Sequence, residues 1–297
     1  MDRYPERTVR DERASFTAGY VAACRGLAAA LPSEACRVDD PYAARFLGPI
    51  AGRAVERLRA RGPSALGAEL TAFFPLVLYM QVRTRVLDEA VERFVAGGGR
   101  QVVLLGAGFD ARASRIPGLR FFEVDHPATQ ERKKRLLDAE SPSATYVPFH
   151  FERDPMSALP DALSSHGHDP ALPTLTIWEG VTMYLTETAI EASLAAIRAF
   201  SRGHSDSRLA MTYFDRSRVD FPMTTFRRLS RIAVAAVGEP FRWGWDPKGL
   251  PAWLASRGFR VEQNHEVAEH ARRLLPARYA RRVDSGVSHI ALCAVDP

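Results

Sequence analysis

The chain has little cysteine, little lysine and no long apolar run, and each shortage removes a class of protein. Cys24, Cys36 and Cys293 are an odd number of thiols without a shared metal-type spacing. Neither a disulfide framework nor a zinc module is therefore expected, and the reducing cytoplasm is the expected compartment. No apolar stretch approaches the ~20 residues of a membrane span, and the charged start, Met1-Asp-Arg-Tyr-Pro-Glu-Arg7, reads as that of a soluble, unexported chain. The net charge of +5 comes mostly from arginine, interleaved with 35 acids and building no aromatic-basic platform. That pattern argues against nucleic acid as a partner. Repeats and linkers are missing too, so 297 residues at 46% hydrophobic content read as one large domain with an extra helical part.

What is present changes character near residue 100. Residues 14 to 100 read as helical, rich in Ala, Leu and Arg, with apolar residues recurring at three and four and with Gly62-Pro63, Gly67 and Pro75 as punctuation. The last of these helices carries Val82, Val86, Ala90, Val91, Phe94 and Val95 on one side and stops at Gly97-Gly98-Gly99. Beyond it, strands are expected at Gln101 to Leu105, Arg120 to Val124, Thr145 to Phe149, Thr174 to Trp178, Arg208 to Phe214, Gly258 to Gln263 and Ser288 to Val295. Helical stretches such as 126 to 138 and 186 to 200 lie between them, with Thr186 and Asp246 as caps. Strand alternating with helix predicts an α/β fold, a doubly wound, mostly parallel seven-stranded sheet. The short last connection makes an antiparallel seventh strand plausible. The expected division is an amino-terminal helical cap over 1–97 packed on a core over 98–297, with an insertion at about 215–245 on the carboxyl edge of the sheet, where ligands bind.

Two runs carry the chemistry. Gln101-Val-Val-Leu-Leu-Gly-Ala-Gly-Phe-Asp110 is an apolar strand emptying into a glycine turn that ends in a carboxylate, and Phe121-Phe-Glu-Val-Asp125 is a strand ending in acids. Parallel α/β sheets build adenosine pockets this way: the glycines admit the ligand to the backbone and the second acid reaches the ribose hydroxyls. Gly106-Ala-Gly108-Phe-Asp110-Ala111 also satisfies the dinucleotide pattern, so charge has to arbitrate. A carboxylate about 5 Å from a pyrophosphate, at an effective dielectric near 20, costs on the order of 3 kcal/mol, whereas the same carboxylate gains as much beside an ammonium. Asp110, with Glu179 at the end of the fourth strand, therefore favours cationic S-adenosylmethionine over NAD. The plainer reading of Asp110 is a cap for the helix beginning near Ala111.

Val82-Arg-Thr-Arg85, Leu104-Leu-Gly-Ala-Gly-Phe-Asp-Ala-Arg112, Phe122-Glu-Val-Asp-His-Pro127 and Trp178-Glu-Gly-Val-Thr-Met-Tyr-Leu185 together resemble the leucine carboxyl methyltransferase superfamily, most closely its bacterial branch with polyketide carboxyl O-methyltransferases. Thr17-Ala18, Val21-Ala22, Arg25-Gly26, Asp39-Asp-Pro-Tyr42 and Gly238-Glu-Pro-Phe-Arg-Trp243 extend the likeness over most of the chain. The resemblance implies a class I methyltransferase fold binding S-adenosyl-L-methionine. It implies that Arg83, and less surely Arg85, hold the cofactor's carboxylate. Gly106, Ala107 and Gly108 would give it backbone access beside Asp110. Asp125, with Glu123 as the lesser candidate, would take the ribose hydroxyls, next to His126. Glu179, followed by Gly180, would meet the methionine moiety, and Phe151 and Glu152 the adenine. The chain departs from the family at His150-Phe151, where an acid is usual, so the adenine contact falls to Glu152 or Asp154.

The implied reaction is displacement of a sulfonium methyl by an oxygen nucleophile. A carboxylate acceptor is already ionised at neutral pH, its ordinary pKa being about 4, and needs no general base. Positioning and exclusion of water then supply most of the acceleration. A phenol would want a base, and His126 and His150 read as structural. The leading expectation is methylation of a small-molecule carboxylate, plausibly a polyketide or other secondary metabolite, by a monomer or homodimer without a metal. A phenolic hydroxyl or a protein's terminal carboxylate is the alternative acceptor. An NAD-dependent oxidoreductase and a catalytically silent binding protein are readings from other classes. Tyr20, Tyr184, Phe214, Trp243 and Trp245 are candidates to line the acceptor pocket.

Overall fold

The computed structural model describes residues 18–62, 74–137, 144–151, 153–202, 204–219, 242–283 and 287–296. Its centre is a seven-stranded sheet in the order β3-β2-β1-β4-β5-β7-β6. The strands are β1 (Gln101–Leu105), β2 (Arg120–Asp125), β3 (Ala144–Pro148), β4 (Thr174–Trp178), β5 (Arg208–Phe214), β6 (Phe259–Glu266) and β7 (Ser288–Val295). The first five run parallel, and β7 slots antiparallel between β5 and β6. All seven expected strands form, and the seventh runs antiparallel as expected. Boundaries move by a residue or two, and β6 runs three residues further than expected because it pairs along β7 past a bulge between Val261 and Gln263.

The helices that matter for the site are residues 18–27 (α1), Gly48–Arg61 (α2), Phe74–Ala96 (α3), Arg112–Arg115 (α4), Pro127–Leu137 (α5), Leu159–Ser165 (α6) and Glu187–Ser201 (α7). α3 ends as expected in the glycine run, with Gly98 at φ 93, a conformation that favours glycine. Thr186 caps α7 by accepting the backbone N–H of Ala189. Asp246 does not open a helix directly; it accepts from Lys248 N in a turn, and the helix begins at Leu250.

Because side chains alternate along a strand, each strand feeds two cores. Val102 and Leu104 of β1, Phe121 of β2 and Leu175 and Ile177 of β4 pack with Cys24 of α1 and Leu78, Val82, Leu87 and Val91 of α3. Val103, Leu105, Phe122, Val124 and Trp178 pack on the opposite face with Ile190, Leu194 and Ile197 of α7 and Leu159 and Leu163 of α6. The amino-terminal helices thus share one apolar core with the sheet. The same alternation decides where the acids go: odd-numbered Glu123, Asp125 and Glu179 continue the face covered by α1 and α3.

Candidate functional site

β1 ends in a turn that only glycine fits. Gly106 has φ 72 and Gly108 φ 50, and a Cβ on Gly106 would lie 2.7 Å from Val181 Cγ2. The turn is tied to β2 by Gly106 N and Ala107 N, which donate to Val124 O at 2.9 and 3.2 Å. At the end of β2, half-buried Asp125 accepts from Gly108 N at 2.6 Å and from His126 N at 2.7 Å. Two backbone donors fix the orientation of this carboxylate and leave lone pairs for a further partner. Burial raises its pKa despite those bonds.

Glu123 is a different kind of acid. It is 1% exposed and pairs at 2.6 Å with Lys133 of α5, which also donates to Asp110 O. Burial pushes Glu123 up to about 7 against the pull of Lys133. It stitches α5 to the sheet, and Asp125 is left as the acid at the strand end.

The carboxyl end of β4 holds the densest electrostatics. Glu179 Oε1 accepts from Arg83 Nε and Oε2 from Arg112 Nη1, both at 2.7 Å. Arg112 also donates Nε to Asp88 at 2.8 Å and Nη1 to Asp110, whose other oxygen caps Arg112 N at 2.7 Å. Asp88 is held in addition by Arg115. Burial alone would raise Glu179 and Asp110, but the adjacent guanidiniums, Arg112 first, hold both below the ordinary carboxylate range. Asp110 therefore does not present bare negative charge, contrary to the expectation from the sequence: three guanidiniums balance three carboxylates. Asp110 is also, in part, the cap that its position suggested.

Other expected residues are placed as follows. Arg85 points away from Glu179 and pairs with Glu92 at 2.6 Å and Glu89 at 3.4 Å on the surface, because residues two apart on a helix lie about 200° apart. Gly180, φ 71, donates to Thr212 Oγ1 at 2.8 Å and brings its backbone under the Arg83 guanidinium. His126 Nδ1 accepts from Ala128 N, and its Nε2 meets His150 Nδ1 at 3.1 Å. Phe151 is exposed, edge-on to Phe149. Asp154 turns back to accept from His150 N; Glu152 lies outside the described residues. Tyr184 is half-buried in a single turn, Thr182–Tyr184, just past Gly180. Tyr20 of α1 packs against the α3 core, and burial pushes its hydroxyl up to about 12. Phe214 closes β5 half-buried. Trp245 is 5% exposed among Tyr213, Trp243 and Trp253, so it is core rather than pocket lining, while half-buried Trp243 donates its backbone N–H to Met183 O. Most of the insertion expected at 215–245 lies outside the described residues; its two ends meet in the bridge between Asp215 and Trp245.

Three contributors escaped the sequence reading. Arg112 and Lys133 are fully buried cations, and Arg25 of α1 bonds Asp40 at 3.0 Å and the carbonyl of Phe109, clasping α1 to the glycine turn. Arg112 stood in a quoted motif without a role. Lys133 could have been found from the inward stripe Thr129, Gln130, Lys133, Leu137 on α5.

The model of the leucine carboxyl methyltransferase family matches residues 18–198. The chain belongs to that family. A Streptomyces coelicolor protein, provisionally named an S-adenosyl-L-methionine-dependent methyltransferase, is 38% identical over 64% of this chain and 65% of its own length. A Streptomyces avermitilis protein with the same provisional name is 36% identical over 73% and 71%. Among solved structures, a provisionally assigned methyltransferase of Thermobifida fusca aligns with a TM-score of 0.53 at 19% identity, covering 90% of this chain and 96% of that one. A DUF574 family protein of Streptomyces avermitilis aligns at 0.54 and 17%, covering 80% and 92%. This family member is an S-adenosylmethionine-dependent methyltransferase with the Rossmann-like α/β fold of class I, and the dinucleotide oxidoreductase reading is set aside.

Proposed function

We propose that the protein transfers a methyl group from S-adenosylmethionine to a carboxylate oxygen of a small molecule, a polyketide or another secondary metabolite. The observation that carries the cofactor half of this reading is the Arg83–Glu179 pair at 2.7 Å beside the glycine turn. An amino-acid moiety is a zwitterion, and an adjacent guanidinium and carboxylate are its complement. Arg83 spends Nε on Glu179 and lies over the Tyr79 ring, and its terminal nitrogens suit a carboxylate. Glu179, with two of about four lone-pair positions used, can accept an ammonium. Asp125 would take the ribose hydroxyls, held for that task by Gly108 N and His126 N. Once bound, the donor supplies an electrophilic methyl on a sulfonium.

The acceptor half rests on proton accounting. A carboxylate arrives ionised and its attack releases no proton, so the protein's work is to orient the two groups and exclude water. The histidines nearest the site suit that reading: His126 and His150 spend ring nitrogens on each other and on Ala128 N. Half-buried Tyr184 and Trp243 stand past Glu179 as acceptor contacts.

The test uses labelled donor with panels of carboxylic acids, phenols and peptides ending in a free carboxylate. Label carried by a small acid and released by mild alkali as methanol, the behaviour of a methyl ester, is the expected result. Label that resists alkali would identify an ether and a hydroxyl acceptor, and incorporation confined to the peptides would move the activity to protein termini.

A further inference from the structure

The buried charges behind Glu179 are arranged in series. Both oxygens of Glu179 are tied to α3, one directly and one by relay: Oε1 through Arg83, and Oε2 through Arg112, whose Nε is anchored on Asp88. Asp88 is held on both oxygens, since Arg115 adds bonds at 3.0 and 3.2 Å to the one from Arg112. Arg112 is 2% exposed and Asp88 4%. A buried guanidinium serving three carboxylates exceeds what packing a four-residue helix requires. We infer that Asp88 and Arg112 are positioning residues that keep Glu179 ionised and aimed at the amino-acid end of the methyl donor. This rests on the reading of Glu179 as the donor's ammonium contact.

The consequence is a pH dependence that the intact relay suppresses. Among the described residues, the charged groups facing Glu179 are Arg112 of α4, Arg83 of α3, Arg25 of α1 and Asp110 of the glycine turn. Without Arg112, burial and the freed Asp110 carboxylate both push Glu179 toward its neutral form, and Arg83 with Arg25 oppose them. As pH falls, Glu179 then takes up a proton and loses its attraction for an ammonium. A role confined to folding would lower the melting temperature without producing such a slope.

The experiment is calorimetric titration of S-adenosylmethionine into the parent, Arg112→Gln, Asp88→Asn and Glu179→Gln between pH 5.5 and 8, with a thermal melt of each. The parent should bind with a nearly constant Kd. Arg112→Gln should bind about tenfold more weakly at pH 8, the loss expected for a charged hydrogen bond, and progressively more weakly toward pH 5.5. Asp88→Asn should weaken binding about tenfold. A pH-independent Kd in Arg112→Gln overturns the inference. If that variant does not fold, Asp88→Asn decides, with a Kd within twofold of the parent overturning the inference and a tenfold loss supporting it. Glu179→Gln separates the two layers: unchanged affinity there removes the ammonium contact itself, whereas a large loss there beside a pH-independent Arg112→Gln removes only the positioning role.

Discussion

The two strand ends proposed to hold the donor fix their acids by different means. At the end of β4, Glu179 is locked by two guanidiniums within a buried network. At the end of β2, Asp125 is locked by two backbone N–H groups and stays half-buried. Removing a partner from a buried ion network strands opposite charge, whereas removing an acid from a backbone nest strands only neutral donors that water can reach. The first region should therefore couple binding to folding, and the second should separate them.

The sharpest way to break this contrast is a pair of truncations. Glu179→Ala leaves Arg83 and Arg112 facing each other without a shared acid, and should lower stability by about 3–5 kcal/mol while abolishing measurable donor binding. Asp125→Ala should weaken donor binding by roughly 1–3 kcal/mol with little change in folding. Urea denaturation and calorimetry on both variants decide; equal stability losses would show that the two ends are built alike.

Next in size is a pH effect at Glu123, two residues before Asp125 on β2. An unfolded glutamate titrates near 4.5, and burial raises this one to about 7. Between those values the folded chain keeps a proton that the unfolded chain has released, so stability falls as pH rises through the window. The full excursion is roughly 3 kcal/mol at about 1.4 kcal/mol per unit. Urea midpoints from pH 4.5 to 7.5 should decline more steeply in the parent than in Glu123→Gln. Parallel curves would mean that Lys133 keeps Glu123 charged throughout.

A smaller effect concerns the donor's own charge. Since Arg83, Arg112 and Arg115 offset Asp88, Asp110 and Glu179, the carboxylates at the end of β4 are matched and reward the sulfonium little. S-adenosylhomocysteine should bind within about tenfold of S-adenosylmethionine, a difference of no more than about 1.4 kcal/mol. A preference above a hundredfold for the methylated form, measured in the same calorimeter, would restore the negatively lined pocket expected from the sequence.

Much of this fold was legible because it is written in short-range patterns. Short, largely apolar runs mark the central strands β1 and β4, the triple glycine marks the end of α3, and the positive-φ turn at Gly106 and Gly108 demands glycine. Asp125 and Glu179 were legible for the same reason, as acids ending strands. What stayed hidden depends on residues far apart in sequence. Nothing local says that Arg112 reaches Asp88 across 24 positions and Glu179 across 67, or that Arg25 reaches the carbonyl of Phe109 across 84. Trp245 failed for a related reason: its place after β5 suggested a pocket wall, but its bridge to Asp215 draws it under the sheet edge into the Tyr213 and Trp253 core.

The smallest prediction tests the geometry of α3 alone. The pattern Arg83-Thr84-Arg85 offers two arginines of equal reach, and the helix gives them opposite fates. Arg83 is 6% exposed and bound to Glu179, whereas the Arg85 side chain is 29% exposed and paired with Glu89 and Glu92. Screened surface pairs of this kind contribute under about 1 kcal/mol. Arg85→Ala should therefore shift stability by less than that and leave the donor Kd unchanged, whereas Arg83→Ala should weaken donor binding at least tenfold, the loss of a charge-assisted bond. A comparable loss in both variants would mean that α3 turns when the donor binds and presents its second arginine to the site.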